Sequence, residues 1–431
     1  MLNSEAQTAL KQVLARSRSQ TYSGYAAHDA LNSPFLHGLT LHQRFLRRLL
    51  IQGMVSVPGR IRNRLGVPQG RNPLATGLFA HAWLNLAART DLLADNPWEA
   101  DYCIAEAENL LRRLAAHVSP WTPAPADLLE AFEVKADLSP REPRLEGVGW
   151  GYHAPLQKGD LFMPRHYPDR VTTSWVGMAF LRAFQLTGDE KYRLAVRELS
   201  RFLLQNPMAL YEERDQLCLS DVPSERVKQT GLEVCALTAA VVSGRVRIDP
   251  DSAAEAEKAK QLAQFVADRQ NPAGSWPARF PVPASASSAG NAATAAVLAG
   301  LADTMTNLQT FTWLDAFHEG LETYRETQFT REGAPKRGPD HSGPHEIRAA
   351  ALGILTFRRA AVFLREEVPN PAPEAAAKAS GMAERITEWT LRNLYSGQGW
   401  FYFQQNGMRT KKICLIDRGN PWMCRALTEA G

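Results

Sequence analysis

EGVGWGYHAPLQKGDLFMPRHYPDRVTTSWVGMAFLRAFQLTGDEKYRLAVRELSRFLLQ, Glu146 to Gln205, decides the fold. It has three parts. The first is a turn-rich aromatic loop. The second, about 171–187, is apolar almost all round. The third, 190–205, carries its charges on one side. Thr187-Gly188-Asp189 separates the last two: a glycine suits the left-handed end of one helix, and an aspartate caps the start of the next. The stretch predicts a loop followed by a helical hairpin.

The same unit recurs. Helix 73–90 pairs with 97–117, 228–244 with 252–270, 289–306 with 311–328, and 344–364 with 373–394. A sixth first helix starts near Gly419 and the chain stops at Gly431. A lone helix, LTLHQRFLRRLLIQGM, occupies 39–54. The first helices are rich in Ala, Gly, Ser, Thr and Leu, as in GNAATAAVLAGLA and EIRAAALGILTF. Their partners are charged and amphipathic, as in AAEAEKAKQLAQFVADRQ. Helices apolar all round are buried, and amphipathic ones face water. An inner ring inside an outer ring follows, with a period of about 50–60 residues. With helix 39–54 as the sixth outer helix, the expectation is an all-α (α/α)6 toroid spanning 39–431, with residues 1–38 as an N-terminal extension. Short β-hairpins are expected in the loops at its mouth. An irregular bundle or solenoid would use the same helices without closure.

Bulk properties narrow the function. The 431 residues are 45% hydrophobic and 22% charged, with net charge +4. This is ordinary globular composition, without the basic excess of a nucleic-acid binder. No apolar run is long enough to span a bilayer. Charges interrupt MLNSEAQTALKQVLARSRSQ, so no secretory leader is expected and the reading is cytoplasmic. The five cysteines (103, 218, 235, 414 and 424) form no CxxC pair. They read as reduced thiols, with no metal or cofactor expected.

In such a ring the loops leading into the inner helices gather over the central funnel, and function concentrates on loops held by a rigid scaffold. Three of them carry a Gly-Trp element: Gly149-Trp150-Gly151-Tyr152, Gly274-Ser275-Trp276 and Gly399-Trp400-Phe401-Tyr402. Aromatic planes around a funnel suit the C–H faces of sugar rings. Equally, the indoles could wedge the loops against helix ends. Four of the ten histidines fall in two of these loops. His153, His166, Asp340 and His341 are the expected proton-transfer groups. Trp150, Tyr152, Arg165, Asp221, Trp276, Asn291, His345, Trp400, Tyr402, Arg418 and Trp422 are the expected substrate contacts. The basic members favour an acidic glycan, because guanidinium holds carboxylate or phosphate bidentately. Asp417 reads as the partner of a neighbouring arginine or a cap of the last helix.

GWGYHAPLQ…MPRHYPDRVTTSWVGMAFLRAFQLTGDEKY, NPAGSWPARF and the C-terminal GWFYFQ…DRGNPWM resemble toroid proteins encoded in bacterial capsule and exopolysaccharide loci. The resemblance spans about 70–430. It implies a six-hairpin glycosidase-like fold and a polysaccharide-related role: hydrolase, lyase or epimerase. Other polysaccharide-assembly proteins are implied as partners. Where the family has an Asp-Asn-Phe-His-Thr-like cluster, this chain reads Ser288-Ala289-Gly290-Asn291-Ala292-Ala293-Thr294. That loss motivates an alternative, a non-catalytic glycan-binding or scaffold subunit. Isoprenoid chemistry on a related toroid is a third class, but DDxxD, DxDD and zinc-ligand patterns are absent.

Overall fold

The computed structural model describes residues 4–93, 98–142, 144–158, 161–205, 219–223, 231–249, 252–277, 279–280, 290–338 and 343–430. Twelve helices build the ring: α1 (Ser4–Ser19), α2 (Pro73–Ala87), α3 (Ala100–Ala116), α4 (Arg170–Thr187), α5 (Glu190–Gln205), α6 (Leu232–Ile248), α7 (Ala253–Ala267), α8 (Asn291–Leu308), α9 (Leu314–Thr327), α10 (Ile347–Val362), α11 (Pro373–Leu394) and α12 (Asn420–Thr428).

The inner helices α2, α4, α6, α8, α10 and α12 each pack on the next, and α12 packs on α2, which closes the circle. Five outer helices, α3, α5, α7, α9 and α11, pack on the inner helix that precedes them. Burial follows composition. In α6 every residue from Val234 to Arg245 is buried. In α5 Tyr192, Val196, Leu199 and Leu203 are buried while Glu190, Arg197, Arg201 and Gln205 stay exposed. Gly188, at φ 68°, ends α4, and an Asp189 oxygen accepts from Lys191 N at the start of α5.

The sixth outer helix is α1, which corrects the expectation for both 1–38 and 39–54. Ala6, Ala9, Leu10, Val13 and Leu14 of α1 lie in the main core, and α1 packs on α11 and α12. The helix within 39–54 makes no substantial packing contact with α12. Leu41 and His42 take positive φ (47° and 59°), so the helix begins only at Arg44. The helix Arg44–Met54 joins those at Pro34–Leu39 and Gly59–Arg64 in a lobe with its own small core of Ala30, Leu36, Met54 and Val67.

The expected hairpins sit in the mouth loops. β1 (Leu156–Lys158) pairs antiparallel with β2 (Leu161–Met163) ahead of α4. β3 (His345–Glu346) pairs with β4 (Gln404–Asn406), which pairs with β5 (Arg409–Lys411), so the loops before α10 and α12 share one sheet. No helix among the described residues is long and apolar enough to cross a membrane.

Candidate functional site

Six inner helices point their N-termini at one end of the ring, and the loops feeding them form its mouth. The groups meeting there come from segments around His28, Asn72, Tyr152, Glu233, Arg348 and Asp417. Asp417 lies at the centre, accepting from Ala27 N through Oδ1 (2.9 Å) and from the Tyr152 hydroxyl through Oδ2 (2.9 Å). Arg418 Nε stands 3.6 Å from the same Oδ2. Tyr152 in turn accepts from His28 N (3.2 Å). Burial would raise the Asp417 carboxyl. The Arg418 guanidinium, His28, Ala27 N–H and Tyr152 hydroxyl outweigh it and hold it below the usual carboxylate range, so Asp417 is ionised at neutral pH. Burial and the neighbouring Asp417 charge push Tyr152 far above its ordinary value, so it stays a phenol.

The tautomers of two histidines follow from their partners. Arg418 Nη2 can only donate, so His28 Nε2 (3.2 Å away) accepts and the proton sits on Nδ1. Asn72 Oδ1 accepts from Ala75 N, so its amide nitrogen donates to His153 Nδ1 (3.1 Å) and His153 carries its proton on Nε2. His28 Nδ1 and His153 Nε2 are buried donors without a hydrogen-bond partner among the described residues. Burial, then the charge of Arg418, lowers His28 to about 4; burial lowers His153 to about 4 as well.

Arg348, in the first turn of α10, completes the cluster. Its guanidinium lies 5.0 Å from the Trp422 ring centroid, and the charges of Arg418, Glu233, Asp417 and Glu346 all bear on it. Arg348 Nε and Arg418 Nε have no hydrogen-bond partner among the described residues. Two half-buried guanidiniums within electrostatic reach repel each other, and an anion relieves the repulsion. Glu233 stands in the first turn of α6. Sequence reasoning missed Arg348, Glu233 and His28. The first of these carried a signal: a cation in the first turn of a helix opposes the helix dipole.

The structure gathers Tyr152, His153, Arg418 and Trp422 from the expected set and disperses the others. His166 is buried, with φ 64°, and its ring faces His117 at 6.1 Å. Burial, then Arg165, His117 and His153, lowers it to about 3. Arg165 beside it is exposed.

Trp150 and Trp276 are fully buried wedges, not stacking platforms. Their indole N–H groups donate to last-turn carbonyls of outer helices, Leu114 on α3 (2.9 Å) and Val266 on α7 (3.0 Å). Trp422 is buried too, edge-on to Trp175 at 4.9 Å, and presents only its face to Arg348. Trp400 packs under Arg16 of α1 at 4.0 Å. Tyr402 packs against the core near Leu394, whose carbonyl accepts from Tyr402 N.

Asn291 is a buried staple, bonded to Tyr324 and to Gln328 O. Asp221 accepts from Gly231 N at the start of α6. His345 donates to Pro335 O and lies against Trp389 of α11, lining a separate cavity of about 460 Å³. Asp340 and His341 fall outside the described residues.

A further cavity of about 420 Å³ occupies the opposite end of the ring, with His81, Arg182, Asp303, Arg359 and Arg425 on its wall. Its charges are largely paired: Arg359 with Asp303 and Glu367, and Arg425 with Glu429.

No protein-family model matches the sequence, and no curated protein matches it. Solved structures do. A sugar epimerase from a ruminal bacterium superposes with a TM-score of 0.56 at 10% identity, over 84% of this chain and 90% of that one. An unsaturated glucuronyl hydrolase from Streptococcus agalactiae gives 0.56 at 11% identity, over 98% and 90%. An α-1,6-mannanase from Salegentibacter gives 0.54 at 13% identity, over 84% and 89%. At these identities the likeness establishes the fold alone, an (α/α)6 toroid.

Proposed function

We propose that the mouth binds an acidic saccharide and acts on it by proton transfer. The observation that carries this reading is the half-buried pair Arg348, which lies over Trp422, and Arg418, which lies beside Asp417, with neither Nε in a hydrogen bond among the described residues. A carboxylate or phosphate on a sugar satisfies them. Glu233 and Glu346, whose charges bear on Arg348, together with Tyr152 and the neutral His28 are groups there able to move a proton. Epimerase- or lyase-type chemistry fits this set better than hydrolysis, which uses two carboxylates: Asp417 is already committed to Arg418, Ala27 and Tyr152. Sugar epimerases and glucuronyl hydrolases among the structural neighbours support a carbohydrate ligand. We place the activity in bacterial surface-polysaccharide metabolism, in the cytoplasm, on the motifs of the chain alone.

The test is titration with a uronate-containing oligosaccharide and its neutral counterpart, followed by NMR of the mixture over time. The acidic ligand binds, and Arg348→Ala weakens it about tenfold to a hundredfold, the scale of hydrogen bonds to a charged group. Equal binding of the neutral glycan sinks the reading. A second reading, glycan binding without turnover, draws on the start of α8, where Gly290-Asn291-Ala292-Ala293-Thr294 holds no acid and no histidine in the place of the resembling family's Asp-Asn-Phe-His-Thr-like cluster. Unchanged NMR spectra with tight binding would select it.

A further inference from the structure

Every large hydrophobic side chain that is exposed among the described residues belongs to one surface. Phe35 and Leu39 form an i,i+4 pair on the helix Pro34–Leu39, and Phe45 and Leu49 form another on the helix Arg44–Met54. Leu41 lies between the helices and Ile61 on the next one. The last is Met408, at the β4–β5 turn, and Lys411 of that hairpin bonds Ser56 of the lobe (2.8 Å). Phe45 is 71% exposed and Leu41 70%. The helix Arg44–Met54 buries Ile51 and Met54 together with Arg47, which stacks on Phe162 at 4.2 Å, yet turns Phe45 and Leu49 outward. A helix folded for water alone would not present that second apolar face to solvent.

The charge is equally one-sided. The chain holds 45 acidic residues, yet none lies between Ala30 and Thr90. Arg44, Arg48, Arg60 and Arg64 are exposed around the apolar side chains, and Arg409 and Lys412 flank Met408. Arg48, Arg60 and Arg64 form no ion pair among the described residues. Exposed Phe and Leu ringed by arginine is the pattern of a helix lying in a membrane interface, with attraction to anionic headgroups added to apolar burial. A second copy of this chain is the poorer occupant, because a two-fold contact would set this cationic surface against itself.

We infer that this lobe docks on the surface of an anionic phospholipid bilayer. The lobe is rigidly tied to the mouth. Arg62 is buried against Asp29 (2.6 Å) and also donates to Ala26 O and Met54 O, and the next residues, Ala27 and His28, contact Asp417 and Tyr152. Docking therefore sets the mouth beside the bilayer. The inference is independent of what the funnel does, so either can fail without the other.

Flotation of the full chain with vesicles tests it, using phosphatidylcholine alone and phosphatidylcholine with phosphatidylglycerol. The protein floats with the anionic vesicles, does not float with the neutral ones, and is released by high salt. Arg48→Ala lowers the partition coefficient about fivefold, the weight of one basic residue near an anionic surface. Phe45→Ser with Leu49→Ser lowers it at least about tenfold at an unchanged melting temperature, because both side chains already face solvent. Failure to float with anionic vesicles overturns the inference. So does flotation of the double variant at the wild-type level. Concentration-dependent dimerisation or capture on immobilised polyglutamate, without vesicle binding, overturns it in favour of another chain or an acidic protein.

Discussion

The loops before α8 and α12 look like copies, since each carries a glycine and a tryptophan, but their indoles do opposite jobs. Trp276 is fully buried and bonds the last turn of α7. Trp400 is half-buried and lies outward, under Arg16. The glycines explain why. Gly274 has φ 76°, and a Cβ there would stand 2.5 Å from Thr323 Oγ1 and 3.1 Å from Glu319 O on α9. Gly399 has φ 80°, and a Cβ there would stand 2.7 Å from Gln12 O on α1. Each glycine rests on the outer helix of the hairpin its loop leads into. Counting from the glycine, the residue that matches Trp276 is Phe401, also fully buried. A one-residue offset sends an extended chain's side chain to the opposite face. The comparison also identifies α1 as the counterpart of α9.

The heaviest blow to that correspondence is to remove α1. A chain lacking residues 1–21 loses one wall of the core, as does one lacking 396–431, and neither should show a cooperative thermal transition by circular dichroism. If the first truncation melts like the intact protein, α1 is an appendage and the match with α9 fails.

Next come the buried rings. Trp276→Ala and Phe401→Ala should each cost about 3–5 kcal/mol in urea unfolding, the scale for a large core aromatic. Trp400→Ala forfeits a cation–π contact and partial burial, about 1 kcal/mol. A Trp400→Ala cost equal to that of Trp276→Ala would restore the tryptophan-for-tryptophan alignment.

The glycines give a smaller, sharper contrast. Gly397 and Gly399 have similar φ (71° and 80°), but a Cβ on Gly397 meets nothing within 4 Å. Gly397→Ala should cost about 1–2 kcal/mol, the strain of the left-handed region alone. Gly399→Ala adds a clash with backbone and should cost about 1–3 kcal/mol more. Equal costs would mean that α1 yields at that contact.

Much of this was legible in the sequence. The apolar-all-round and amphipathic helices alternate in composition, so the double ring and its hairpins could be read from helical period. The closing helix was misassigned because α1 shows a narrow stripe of small residues, Ala6 and Ala9 with Leu10, Val13 and Leu14, between charges. LTLHQRFLRRLLIQGM is the more apolar stretch. Its surplus apolar residues face outward, and helical period cannot reveal that. At the mouth, Tyr152 and Arg418 were legible as neighbours of Asp417 because they lie in loops with unusual composition. Trp150 and Trp276 were misread because a stacking ring and a helix-end wedge share one residue type, and only the partner of the indole N–H separates them. Arg348 and Glu233 lay on helices read as packing elements.

The smallest effect concerns protons. His153 and His166 are held neutral by burial, with values lowered from 6.5 to about 4 and about 3. Between the unfolded and folded values the unfolded chain binds more protons, so stability is complete above about pH 6.5 and is lost as pH falls towards those lower values. Each group removes about 1.4 kcal/mol per pH unit inside that window. Other titrating groups cancel if wild type is compared with His166→Gln at each pH. The wild-type advantage measured by urea unfolding at about pH 7 should therefore shrink by roughly 1 kcal/mol at about pH 5.5. The substitutions His28→Gln and His153→Gln separate two roles within the mouth. If neutral His28 moves a proton in the reaction, His28→Gln changes the pH profile of turnover. His153 is held by Asn72 and makes no hydrogen bond to Asp417 or Arg418, so His153→Gln changes only the pH dependence of stability. A pH-independent difference for His166→Gln would mean that its ring is already solvated or charged in the folded chain, and the packing of the His117–His166 pair would need a different account.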